Sequence, residues 1–274
     1  MIIKKFSTAL ILCLALFTTH SQAAPILTDI VFVVDESGSM GNVQTNLRNN
    51  IGLFASILQG TGQVSARFGL VGYGSSSPAP RMITDFTDPT SFATAAQGLL
   101  INGGTEPGYT ATAFALNALD SQSPTFSYRS NAVKNVIIMT DEPSNGDTIA
   151  RGAVGGSAVN STVLDGVLTA NNALYNGVLR NNNTISSYEQ LIMDHSGSVF
   201  DLNQFNTTDQ QIVENFVTSF ANAKLQETLT FCQLNPNDPA CNPSTSVSEP
   251  SSFALLALGL AGMVSVRLRK MKAA

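Results

Sequence analysis

The apolar runs at 30–34, 68–71 and 136–139 are short, rich in branched side chains and do not alternate with polar residues. Such runs suit strands buried on both faces, as in a parallel sheet. Helix-like segments separate them. Val43, Leu47, Ile51, Phe54 and Leu58 recur at the spacing of one helical face. Phe92, Ala96 and Leu99 predict a shorter helix, and residues 112–119 another. Residues 162–172 read as a helix, 173–179 as a strand, 188–194 as a short helix and 199–202 as a short strand. A last amphipathic helix is expected over about 208–231, with Asp209 near its N-terminus, where a carboxylate complements the helix dipole. The Gly-rich stretch 151–156 reads as a surface loop. Alternating strand and helix predicts an α/β fold with a doubly wound, mostly parallel sheet flanked by helices.

Both ends carry a different pattern. Lys4 and Lys5 precede an apolar run over 9–17, and small and polar residues follow up to Ala23-Ala24. This reads as a signal peptide over 1–24, too short to span a bilayer, which needs about 20 apolar residues. A second apolar stretch, 253–266, is followed by Arg267, Arg269 and Lys270. About 225 residues lie between these ends, enough for one sizeable domain and a tail. Residues 231–248 are rich in Pro, Asn and Ser and read as a linker.

Charge narrows the partners. All 19 acidic residues lie between Asp29 and Glu249 but only 8 of the 14 basic ones, so this part carries a net charge of −11 rather than the −5 of the whole chain. Such a surface repels nucleic acid and anionic lipid headgroups and is compatible with divalent cations. Of three cysteines, Cys13 falls in the signal segment, and Cys232 and Cys241 form a nearby pair. In an exported chain such a pair is expected to close a small disulfide loop within the linker.

Three fragments carry candidate chemistry. Asp35-Glu36-Ser37-Gly38-Ser39 directly follows the first apolar run, Gly103-Gly104-Thr105 precedes the helix expected from Thr112, and Asp141 directly follows the third run. In an open parallel sheet, ligands bind beyond the carboxyl ends of the strands, where Asp35 and Asp141 can converge. Carboxylates and hydroxyls are hard donors that suit Mg²⁺ first, with Ca²⁺ or Mn²⁺ as alternatives. Taken alone, the pentapeptide reads equally well as a helix N-cap.

Together these fragments resemble the von Willebrand factor type A (VWA) domain and its metal-ion-dependent adhesion site, over about residues 27–230. The resemblance implies a mostly parallel sheet with one antiparallel edge strand and an ion at its top. It implies that Ser37, Ser39 and Thr105 contact the ion directly and that Asp35 and Asp141 hold it directly or through water. The form Gly104-Thr105-Glu106-Pro107 departs from the commoner Thr-x-Thr-Gly, so Thr110 or Thr112 are alternatives to Thr105. Glu106 and Glu142 are expected to be exposed, with Glu106 as a Ca²⁺-favouring neighbour in the alternative.

Ser248-Glu249-Pro250-Ser251-Ser252, the apolar stretch and the basic end resemble a PEP-CTERM sorting signal over 249–272, with Ser248 where the first Pro stands in the motif. The resemblance implies a Gram-negative host, transient anchoring in the inner membrane by a short transmembrane helix, and processing near Glu249 and Pro250 by an exosortase. Release to the cell surface or extracellular matrix would follow. An ordinary tail anchor is the alternative.

The function expected from these readings is divalent-cation-dependent adhesion to a protein or polysaccharide presenting a carboxylate. A structural matrix component with an idle ion site is the alternative. A metal-dependent hydrolase is disfavoured, because a nucleophilic Ser needs a nearby base and His195 lies far in sequence from the ion loops.

Overall fold

The computed structural model describes residues 24–242, and residues 25–242 belong to one compact unit. The elements, in order, are β1 (Ile26–Asp35), α1 (Gly41–Gln59), β2 (Val64–Tyr73), β3 (Arg81–Thr87), α2 (Pro89–Ala95) and α3 (Gly108–Ala115). There follow β4 (Ala132–Thr140), β5 (Ala153–Val154), β6 (Ser157–Ala158), α4 (Ser161–Asn171), β7 (Leu174–Leu179), α5 (Asn182–Asp194), β8 (Val199–Asp201) and α6 (Gln210–Leu234). The main sheet has the order β3-β2-β1-β4-β7-β8, and only β3 runs antiparallel. This is the doubly wound, mostly parallel architecture the apolar runs predict.

The central strand β1 explains why its run does not alternate. Ile30, Phe32 and Val34 face a core built with α1, α2 and α6, while Val31 and Val33 face a second core built with α3, α4 and α5. All five are buried, because both faces of a strand in a helix-flanked sheet lose contact with water. Phe32 meets Phe54 and Phe92 edge-on, so α1 and α2 are keyed to one strand residue. The register pairs Asp35 with Tyr73, Val34 with Met139 and Thr140 with Leu179. The carboxyl ends of β1, β2, β4 and β7 therefore lie along one edge.

Several elements differ from expectation. α3 begins at Gly108 rather than Thr112, because Pro107 presets the turn that starts it, and it ends before Asn117, which takes a left-handed backbone. α5 begins at Asn182 rather than Tyr188. Asn181 caps it by accepting from the backbone N–H groups of Asn183 and Thr184, so an Asn-rich stretch that resembles a turn is the start of a helix. The Gly-rich stretch is a tight hairpin of β5 and β6. Gly155 and Gly156 turn it with φ of 57° and 78°, a primed-turn conformation that glycine adopts without strain.

α6 continues through Leu234, so Cys232 sits on its last turn. Cys232 is disulfide-bonded to Cys241. The closed loop packs Ala240 with Phe231, Val133 and Leu174. Among the described residues, no helix is long and apolar enough to cross a membrane. The signal segment, Glu249, Pro250 and the apolar stretch 253–266 lie outside the described residues.

Candidate metal centre

Asp35 is the last residue of β1 and is fully buried. One carboxylate oxygen accepts the Ser37 backbone N–H at 2.7 Å and the other accepts the Thr140 hydroxyl at 2.9 Å. Burial pushes its pKa up to about 7 against those hydrogen bonds, and the charge of Glu106 adds to the rise. The chain then turns so that the Ser37 and Ser39 hydroxyls stand 3.2 Å apart. Ser37 precedes a short 3₁₀ turn over Gly38–Met40, yet its side chain makes no capping hydrogen bond. The hydroxyl pair is thus not spent on capping, which answers the competing reading of the pentapeptide.

Glu36 fixes the next loop. Its buried carboxylate pairs with Arg81 of β3 and accepts the Leu100 backbone N–H at 2.8 Å. Its carbonyl accepts from the N–H groups of Asn102 and Gly103. Gln44 of α1 adds donors to the Asp35 and Leu100 carbonyls, at 3.1 and 2.7 Å. The outcome is a parallel bridge between Ser37 and Gly103, which carries Thr105 to the edge where Asp35 ends. A Cβ on Gly103 would collide with the carbonyl of Gly74, so glycine is required for this approach.

Thr105 is half-buried on that loop. Thr110 and Thr112 are engaged elsewhere. The Thr110 hydroxyl donates to Asp147 at 2.7 Å, and that of Thr112 bonds the Gly108 carbonyl and lies 3.2 Å from the Tyr175 hydroxyl. Thr105 is therefore the threonine of the three left on the loop that faces the first.

Asp141 follows β4 and is 5 % exposed. One of its oxygens accepts from Arg180, the residue after β7, at 2.8 Å, while its other oxygen is buried without a partner. Thr184 at the start of α5 holds its carbonyl at 2.9 Å. Glu106 departs from expectation, being 1 % exposed rather than solvated. Asn145 engages one of its oxygens at 2.7 Å, and the other is again buried without a partner. Burial raises its pKa, and repulsion from Glu142 and Asp141 adds to that. Its burial follows from the 143–146 loop, where Asn145 exchanges hydrogen bonds with the Glu106 backbone. Glu142 is exposed.

Asp35, Ser37, Ser39, Thr105 and Asp141 thus come to the same sheet edge. Two carboxylate oxygens, on Glu106 and Asp141, are buried and unpaired there, a state that a cation or a water would relieve. Among the described residues, no three acidic, histidine or cysteine side chains group closely enough to hold an ion by themselves. A cation here would depend on the hydroxyls, and this oxygen-only donor set fits Mg²⁺ or Ca²⁺. Sequence reasoning missed Glu36, Arg81, Thr140 and Arg180. Thr140 and Arg180 each close an apolar strand run, a position that points to the ligand edge.

His195 lies at the other end of the sheet. Its carbonyl accepts from Tyr175 near the start of β7, and its ring lies 2.9 Å from Asp165. It does not stand beside Ser37 or Ser39.

No curated protein sequence matches this chain. Among solved structures, it is similar to proximal thread matrix protein 1 from the mussel byssus, at 14 % identity and a TM-score of 0.48, covering 71 % of this chain and 49 % of that one. The chain therefore spans about half the length of the byssus protein. It is likewise similar to the VWA domain of SpRpn10, at 14 % identity and a TM-score of 0.48, covering 70 % of this chain and 94 % of that one. A PEP-CTERM protein-sorting motif matches residues 246–270, and marks an exported protein of the cell surface that is an exosortase substrate. The von Willebrand factor type A domain matches residues 29–172, more than half of the sequence, and the chain belongs to that family.

Proposed function

We propose that this exported protein is a divalent-cation-dependent adhesin of the cell surface or extracellular matrix, with its ion held at the β1–β4 edge. Asp35, Ser37, Ser39, Thr105 and Asp141 would hold the ion. Bound there, it would supply an open coordination position to a carboxylate on a protein or polysaccharide. The observation that carries this reading is the pairing of two uncapped hydroxyls, on Ser37 and Ser39, with a buried, unpartnered oxygen of Asp141 on one sheet edge. Asp35 would act partly by posture. Its hydrogen bonds to Ser37 and Thr140 set the loop before any ligand arrives. The reading is of binding rather than catalysis, since His195 sits away from these hydroxyls and a Ser nucleophile needs a base.

A second reading has one observation in its favour. Arg180 already neutralises Asp141, as a structural component with an idle ion site would require. A pull-down from matrix extract separates the two. The adhesin reading expects acidic partners to be retained in Mg²⁺ or Ca²⁺ and lost in excess chelator. Equal retention with and without chelator would sink it. Processing near Glu249 and Pro250 belongs to the same proposal, and is checked by the C-terminal mass of the protein recovered from matrix.

A further inference from the structure

A half-open groove of about 270 Å³, its rim formed by exposed residues, lies at the opposite end of the sheet from the candidate ion loops. Leu174, the first residue of β7, and Ser198, just before β8, both line it. Its outer wall is the C-terminal half of α6.

The cavity's charged lining group is Glu227. Behind it lies Lys224, a fully buried lysine that pairs with one Glu227 oxygen. The other oxygen accepts from Asn176 at 2.9 Å and from Asn135 at 3.4 Å. Asn176 in turn accepts the Ser198 backbone N–H at 2.8 Å, so the network reaches the cavity rim. Burial lowers the Lys224 pKa to about 8, partly offset by Glu227. A buried ion pair of this kind is weak evidence for stability, because desolvation offsets much of the attraction and apolar residues fill such a space as well. Charged groups held in a network and opening onto a concave surface mark a candidate functional site.

The lining chooses among ligands. Ser196, Ser198, Gln226 and Thr230 place hydroxyls and an amide around Glu227, with Phe231 as an apolar wall. An apolar ligand would leave these polar groups unpaired, at a cost for each. An anion would face the carboxylate. A cation would find its counter-charge already taken by Lys224. A carboxylate with three donors in place retains lone-pair capacity for a hydroxyl. What fits is a small neutral molecule with several hydroxyls and one apolar face. The groove is open on one side, so a single sugar ring can enter it without displacing any element.

We propose that the cavity between α6 and the starts of β7 and β8 binds one neutral sugar unit of a glycan through Glu227 and the hydroxyls around it. This site stands apart from the cation reading, and its test is run in excess chelator so that the two fail separately.

The probes are glucose, galactose, mannose, N-acetylglucosamine and their disaccharides, followed by saturation-transfer NMR on the full exported chain. At least one sugar is expected to saturate, with binding weakened at least about tenfold by Thr230→Trp, which fills the cavity from an exposed helix position, and by Gln226→Ala. Glu227 itself is a poor target, since its loss strands Lys224 in the core. Absence of saturation by every sugar would overturn the proposal. So would equal binding by Thr230→Trp, or displacement of the sugars by peptides at lower concentration.

Discussion

Arg180 pairs with a carboxylate that the proposed ion must share. At the few-ångström separations at which two cations share one carboxylate, their repulsion is roughly 1–2 kcal/mol even in high dielectric. Replacing Arg180 with Gln is therefore expected to tighten Mg²⁺ or Ca²⁺ binding about tenfold, read by calorimetric titration; weaker binding in the variant would show that the guanidinium supports the site instead. Asp35 sets a pH dependence. Its folded pKa of about 7 lies above its ordinary 3.8, so across that window the folded state holds a proton that the unfolded state releases. Stability of the chelated protein is expected to fall as pH rises from about 4 to about 7, and divalent cation should restore it at the upper end. A Tm in chelator that climbs steadily over that range would contradict this. Asp35 and Asp141 were legible because each ends an apolar run. The burial of Glu106 was not, since it depends on Asn145, which is 39 residues away.

Elements position these residues through contacts of backbone against backbone. The loop of Ser37 and Ser39 and the Thr105 loop meet at the Ser37–Gly103 bridge, and only the absence of a side chain at 103 permits it. Gly103→Ala is expected to destabilise the fold by about 2 kcal/mol or more and to abolish cation binding, because the colliding atom is backbone and cannot rotate away. Gly104→Ala has open space around it and should be close to neutral, apart from glycine's own backbone freedom. Chemical denaturation of both variants checks the pair, and equal stabilities would refute the account of the bridge. Strands with a continuous apolar run were readable because both faces are buried. The starts of α3 and α5 were not. Local chemistry at Pro107 and Asn181 sets them, in segments whose composition resembles turns.

Across the whole molecule, one end of the sheet carries the candidate ion loops and the other is closed by α6 and the disulfide loop. Cys232 and Cys241 are nine residues apart. Closing a loop of that length stabilises by about 2–3 kcal/mol in the chain-entropy view. Cys232→Ser with Cys241→Ser should lower Tm without altering cation affinity, because the loop packs on Val133 and Leu174, far from Asp35. A matching loss of cation binding would mean that the two ends are coupled. The fold class was legible because it follows from strand order, and so was the placing of Asp35 and Asp141 at one sheet edge. The polar network of Lys224, Glu227, Asn135 and Asn176 was hidden, because it joins three elements distant in sequence.

Calorimetric titration of the exported chain with Mg²⁺ and with Ca²⁺, set beside Asp35→Asn, decides whether the β1–β4 edge holds an ion. Saturable binding of one ion per chain is expected, weakened at least about a hundredfold in Asp35→Asn, while in chelator near pH 7 the variant is at least as stable as the parent chain, because it carries no buried charge at that position. No saturable heat with either ion, or equal affinity in the variant, would contradict it.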